Sequence, residues 1–245
     1  MLIDLHCHLD HDYFNDELDK VIDNAKKAGL KVILTSGTNP KSNREVLELA
    51  KKYDIVKASL GLYPIQENNI NIDEEIKFIE KNKNKTMAIG EVGMDHFLTR
   101  DPLGEQKIIF EKIISLAEKI NKPIIVHSRK AESDCIDMLE SSKLKKVIMH
   151  CFSGKKSLVK KVNDNGWFLT IPTNIVRSPQ FQENAKVTPI TQIFCETDAP
   201  YLSPFKDKRN EPAFVLESYK KIAEIKGMEL KEVVNNIWMN WQRTF

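Results

Sequence analysis

A chain of 245 residues, 41% hydrophobic and 29% charged, can bury a large core and has the composition of a folded globular protein, not a disordered or fibrous one. Its 37 basic and 35 acidic residues leave a formal charge of +2, so net charge alone gives no argument for a polyanionic partner. No run approaches the roughly 18 apolar residues of a membrane span, and the N-terminus opens into an apolar segment with no basic leader, which reads as a soluble cytoplasmic protein with no membrane association.

Short apolar runs rich in Ile and Val alternate along the chain with segments of helical periodicity. The first strand is expected over Leu2–His6. Gly29 reads as a helix C-cap just before a second strand, Lys31–Ser36, and a third follows at Val56–Gly61. Asp73-Glu74-Glu75 opens a helix with acidic residues at the positive end of its dipole, and the fourth strand is Met87–Glu91. Ile108, Ile109, Ile113, Leu116, Ala117 and Ile120 form one apolar helical stripe. Strands are then expected over Pro123–His127, Val147–His150, Trp167–Ile171 and Ile193–Thr197, with closing helices over Pro212–Lys226 and Leu230–Trp241. Such runs suit strands buried on both faces of a parallel sheet. Eight of them, alternating with helices and uninterrupted by a linker, predict an α/β protein with a (β/α)8 TIM-like barrel in one domain over residues 1–245.

In such a barrel the active site lies at the C-terminal ends of the strands. Six side chains fall there: His6, His8, Glu91, His127, His150 and Asp198. Four imidazoles and two carboxylates are the donor set that borderline and hard divalent cations prefer. In His6-Cys7-His8 the strand period of two directs both imidazoles to one face and the thiol to the other. Glu91, in Gly90-Glu91-Val92-Gly93, can approach two cations closely and bridge them. The set divides into two adjoining sites: His6, His8, Glu91 and Asp198 around one ion, and Glu91, His127 and His150 around the other. The cofactors expected are therefore two divalent metal ions, Mg²⁺, Mn²⁺ or Zn²⁺. Glu91 and Asp198 are the catalytic candidates, Asp198 as acceptor of a proton from water.

Other positions have weaker readings. His11 reads as a solvated or supporting residue, and His96, which follows Asp95 into a loop, as a substrate contact. Arg129 and Ser153, just past strands five and six, suit phosphate oxygens. The lysines at 145, 146, 155, 156, 160 and 161 read as a solvated face. Cys7, Cys135, Cys151 and Cys195 include no C-x-x-C pair and read as reduced thiols. Strand alternation turns Cys7, Cys151 and Cys195 towards the helices.

Several segments together resemble the TatD family of metal-dependent deoxyribonucleases, within the amidohydrolase-like TIM barrels of metallo-dependent hydrolase type. They are Asp4-Leu5-His6-Cys7-His8-Leu9-Asp10, Gly90-Glu91-Val92-Gly93-Met94-Asp95, Pro123 through Arg129, His150-Cys151-Phe152-Ser153-Gly154, and Glu196 through Pro204. Lys208-Arg209-Asn210-Glu211-Pro212 and the closing residues Asn240 through Phe245 fit as well. The resemblance implies a 3′–5′ exonuclease or related phosphodiesterase using divalent cations, acting on DNA as single strands or at 3′ ends, with no obligate protein partner.

There are departures from the family pattern. Gly61-Leu62-Tyr63-Pro64-Ile65 stands where many members have a histidine before the proline, and His96 stands where a tyrosine is frequent; Tyr63 and His96 are therefore expected to line the substrate pocket. A small-molecule amidohydrolase, lactonase or esterase, or an aminoacyl-tRNA deacylase, would use the same barrel. Glu91 in place of a carbamylated lysine on the fourth strand favours the TatD-like group. A non-catalytic binding protein is disfavoured, because no ligand position is lost.

Overall fold

Eight parallel strands follow one another around the molecule in sequence order: β1 (Leu2–Cys7), β2 (Leu30–Ser36), β3 (Val56–Leu60), β4 (Thr86–Gly93), β5 (Ile124–His127), β6 (Val147–Met149), β7 (Phe168–Pro172) and β8 (Ile193–Glu196). The computed structural model describes residues 1–66, 70–98 and 104–245. Helices α1 (Leu18–Lys27), α2 (Pro40–Lys52), α3 (Ile72–Lys81), α4 (Gly104–Ile120), α5 (Glu132–Glu140), α6 (Lys156–Asp164), α7 (Pro179–Val187) and α8 (Leu216–Lys226) each follow a strand, and α9 (Leu230–Thr244) ends the chain. Strands with helices on one side and a packed interior on the other must be apolar on both faces. All six residues of β1 are accordingly buried.

Seven ladders join β1 through β8. The seam between β8 and β1 is made differently, which leaves the barrel nearly closed. The buried Asp4 carboxylate accepts from Thr197 N at 2.8 Å and from Thr197 Oγ1 at 2.5 Å. Just past the strand ends, Asp198 N donates to His6 O at 2.9 Å and His8 N to Ala199 O at 2.8 Å. The seam thus ties the first and last candidate ligands into one hydrogen-bonded unit.

The expected strands all form, with bounds shifted by one or two residues. β6 ends at Met149, so His150 and Cys151 lie beyond the pleat, and β4 continues two residues past Glu91. Gly29 follows α1 at φ +92°, a left-handed position that suits glycine. The helix expected at Asp73 starts one residue earlier, because Asn71 caps it by accepting from Glu74 N. The stripe on α4 is re-phased. Ile108 faces solvent, while Gln106, Phe110, Ile113, Ile114, Leu116 and Ala117 are buried. The lysine-rich surface is laced with ion pairs, among them Lys156–Glu183 and Lys160–Asp164. No helix among the described residues is long and apolar enough to cross a membrane.

Candidate metal centre and substrate cleft

All six candidate ligands converge at the C-terminal end of the barrel. On one side, His6 Nε2 and His8 Nε2 lie 3.2 Å apart and each 3.4 Å from Glu91 Oε2. Asp198 Oδ1 is 3.8 Å from His6 Nε2 and 3.5 Å from His8 Nε2. On the other side, Glu91 Oε1 lies 2.8 Å from His127 Nδ1 and 3.7 Å from His150 Nε2. Donors about 2.1 Å from a shared cation stand roughly 3.0–3.5 Å from one another in octahedral or tetrahedral arrangements. Four of these seven spacings, all on the side of His6 and His8, fall within that range, and His127 and His150 stand just outside it, at 2.8 and 3.7 Å from Glu91 Oε1. Each oxygen of Glu91 serves a different cluster, as expected for a bridge.

The hydrogen bonds behind the ligands settle which ring nitrogens face inward. His8 Nδ1 lies 3.1 Å from Ser36 O, a carbonyl that can only accept, so Nδ1 carries the proton and, in the neutral ring, Nε2 keeps its lone pair. His150 Nδ1 donates to Glu196 Oε2 at 2.8 Å, leaving Nε2 free. His127 is reversed: its Nε2 donates to Asp95 Oδ2 at 2.9 Å, and Nδ1 faces Glu91. The remaining ligand, His6, packs its Nδ1 3.1 Å from Ser36 Oγ. A carboxylate or carbonyl behind an imidazole fixes its tautomer and raises its basicity. With these rings neutral, their inward nitrogens present lone pairs beside the carboxylates of Glu91 and Asp198, and a divalent cation is the complement that the cage fits.

The electrostatics agree. Burial opposes the charge on Glu91, yet hydrogen bonds with His127 and His6 hold its carboxyl well below the usual range. Asp198 is lowered for the same reason, against burial, by His8 and by the charges of His150 and His6. Without a bound cation the cage attracts protons. Burial works against them, but Asp198 and Glu91 lift His8 to about 9, and Glu196 lifts His150 to about 10. Burial and the neighbouring His150 lower His6.

Two glycines let the strands approach closely enough to build this cage. A Cβ on Gly61 would run into the backbone of Glu91, and one on Gly93 into His127 O; Gly93 also sits at φ +134°.

The cage opens into a cleft of about 1090 Å³, lined by His8, Glu91, His127, His150 and Asp198 and by residues of several loops. Tyr63, Arg129 and Ser153 line it as the sequence predicts. Tyr63 donates its hydroxyl to Asp95 Oδ2 at 2.8 Å; the Arg129 guanidinium lies 3.7 Å above the Phe97 ring; Ser153 donates to Glu132 Oε1 at 3.1 Å. His96 does not reach the cleft. It turns instead into a second cavity between α4 and α5, with Nδ1 3.8 Å from Asp134.

Cys7, Cys135 and Cys195 are buried free thiols. Cys151 departs from the outward orientation expected: the chain has left β6, takes φ +42° there, and brings Cys151 to the cleft wall.

Sequence reasoning missed Glu196 and Asp95 as supports. Both were visible as carboxylates near a ligand, Glu196 two residues before Asp198 and Asp95 four after Glu91. It also missed Tyr201, and His11 lines the cleft beside it. Glu196 lies near enough to His6 and His150 to be a ligand itself. Its oxygens, however, are engaged by His150 Nδ1 and by Cys151 N, so it acts as a support.

Comparison with known proteins gives a consistent picture. A family model described as TatD related DNase matches residues 3–245. The human protein named deoxyribonuclease TATDN3 is 34% identical, over 100% of this chain and 94% of that one. The Methanocaldococcus jannaschii protein named metal-dependent hydrolase MJ1582 is 36% identical, over 99% of this chain and 96% of that one. In fold, the crystal structure of YjjV, a TatD homologue from Escherichia coli, superposes with a TM-score of 0.92 at 24% identity, covering 100% of this chain and 97% of that one.

Proposed function

The chain belongs to the TatD-related DNase family, and from that membership we propose that it is a divalent-metal-dependent phosphodiesterase that degrades DNA from single-stranded or 3′ ends, in the 3′–5′ direction. The observation that carries this reading is the pair of ligand clusters sharing Glu91, one oxygen to each. His6, His8, Asp198 and Glu91 would hold one cation, and Glu91, His127 and His150 the other, with Mg²⁺, Mn²⁺ or Zn²⁺ as candidates. Bound there, the cations supply Lewis acidity and bring the pKa of water towards neutrality.

The chain's own residues do the rest. Asp198 lines the cleft and engages the imidazoles through Oδ1, so it is the site carboxylate open to a water molecule. It takes the proton as the water oxygen bonds to phosphorus and the bond from phosphorus to the leaving sugar oxygen breaks; that oxygen gains a proton in turn. Arg129 and Ser153 grip phosphate oxygens at the mouth. Tyr63, its hydroxyl kept protonated by burial and by the charge of Glu91, supports Asp95 and walls the cleft. One domain over residues 1–245 and a reducing, cytoplasmic setting complete the reading, the latter from four free cysteines.

The test is a panel of single-stranded DNA, duplex DNA, RNA, aminoacyl-tRNA, small esters and an activated phosphodiester, with each metal in turn. Turnover of DNA, a KM that rises with salt, and an Arg129→Ala variant with raised KM and a flatter salt slope are expected. Turnover confined to esters or aminoacyl-tRNA would replace the nuclease reading.

A further inference from the structure

Tyr201 stands beside the candidate metal ligands with its ring open to the cleft. Its side chain is 50% exposed, lines the cleft, and has its ring centroid 6.4 Å from that of His8. On an unrestrained loop an exposed tyrosine would sample many positions. This loop is not free. Tyr201 N donates to Asp198 O at 2.8 Å. The buried Asn210 reaches up to donate to Tyr201 O at 2.6 Å and to Thr197 O at 2.7 Å. Leu202, at φ +53°, gives its carbonyl to Thr173 Oγ1 at 2.8 Å. The backbone thus holds the ring out into the cleft.

The ring is also propped without being covered. His11 meets it at 5.7 Å with an interplanar angle of 89°, and His8 at 67°. Both contacts are perpendicular, so neither histidine lies flat upon the tyrosine. His11 is itself fixed, its Nδ1 accepting from Tyr13 N at 3.2 Å. An aromatic face that is held by its backbone and unstacked, and that lines the cleft 6.4 Å from the ring of the candidate ligand His8, has the form of a stacking platform. Such platforms accept any base, because every base has a π-face, and a rigid one loses little entropy on binding.

We propose that Tyr201, propped by His11, is the base-stacking platform of this enzyme and takes the nucleobase next to the scissile phosphate without regard to its sequence. The proposal rests on the phosphodiesterase reading above and specifies its substrate: a single strand with an unpaired base beside the cleaved bond. The same cleft would bind an abasic backbone through its phosphates alone.

The experiment compares kcat/KM for a ten-residue oligothymidylate and for an abasic chain of the same length, in wild type and in Tyr201→Ala, Tyr201→Leu and Tyr201→Trp. Stacking contributes roughly 5- to 150-fold per base, so wild type should prefer the oligothymidylate by a factor in that range. Tyr201→Ala and Tyr201→Leu should bring the ratio close to one, and Tyr201→Trp should retain it. Metal content measured alongside reports whether the neighbouring cage is intact. A ratio unchanged in Tyr201→Ala, or a ratio near one in wild type, would overturn the platform. Failure of wild type to cut either chain with any metal would overturn the nuclease reading, and the platform with it.

Discussion

Asp95 holds His127 by one oxygen while its other oxygen is fixed elsewhere. Oδ2 accepts from His127 Nε2 at 2.9 Å, and Oδ1 accepts from the N–H groups of Phe97 and Leu98 at 2.8 and 2.9 Å. Burial would raise the Asp95 carboxyl, but these bonds outweigh it and lower it.

That division makes Asp95→Asn an informative change. The amide oxygen stays with the two backbone donors, so the amide NH₂ must face His127. Two donors cannot share that contact, and His127 is driven to the tautomer with its proton on Nδ1, pointing at Glu91. A ligand lone pair is lost without any loss of volume. Affinity at the Glu91–His127–His150 cluster should fall about 10- to 100-fold, and the ¹⁵N shifts of the His127 ring should exchange their assignments. Unchanged shifts with unchanged affinity would remove Asp95 from the account.

Glu196 does the equivalent for His150, with its second oxygen on Cys151 N at 3.1 Å. Glu196→Gln should weaken metal binding by about 10- to 100-fold while the far-ultraviolet circular dichroism stays native. Calorimetric titration with Mn²⁺ checks this. A full-affinity variant would mean that His150 needs no partner behind it.

Metal removal should act differently at different pH. In the metal-free protein His8 and His150 rise to about 9 and about 10, above the unfolded value near 6.5. Groups raised in the folded state contribute stability that is complete below pH 6.5 and disappears as pH climbs through 9 to 10. Bound cations replace those protons and keep their contribution at high pH. The difference in Tm between metal-loaded and chelated protein should therefore widen from pH 6.5 to pH 9. A gap that narrows over this range would contradict the cage as described.

The candidate ligands were legible in the sequence because strand ends are: an apolar run followed by His, Glu or Asp marks a position at the barrel mouth, and His6, His8, Glu91, His127, His150 and Asp198 all meet there. Where the pleat stops, legibility stops with it. Strand alternation placed Cys151 outward, but the chain turns at φ +42° after β6 and brings it to the cleft. His96 sits in the loop after β4, where nothing local distinguishes the cleft from the cavity beside α5. Asp95 and Glu196 were hidden for another reason. Their partners lie 32 and 46 residues away, and only the folded barrel shows which carboxylate stands behind which imidazole.

The central claim is that Glu91 joins two cation sites, and Glu91→Gln tests it most directly. The substitution keeps the shape and removes the charge shared between the clusters. Metal content by mass spectrometry, measured together with DNA hydrolysis, should show two bound ions per wild-type chain. The variant should bind one or none and lose at least about a thousandfold in turnover, since it loses both cation binding and the charge that activates water. A variant that keeps two ions and most of its turnover would contradict the account.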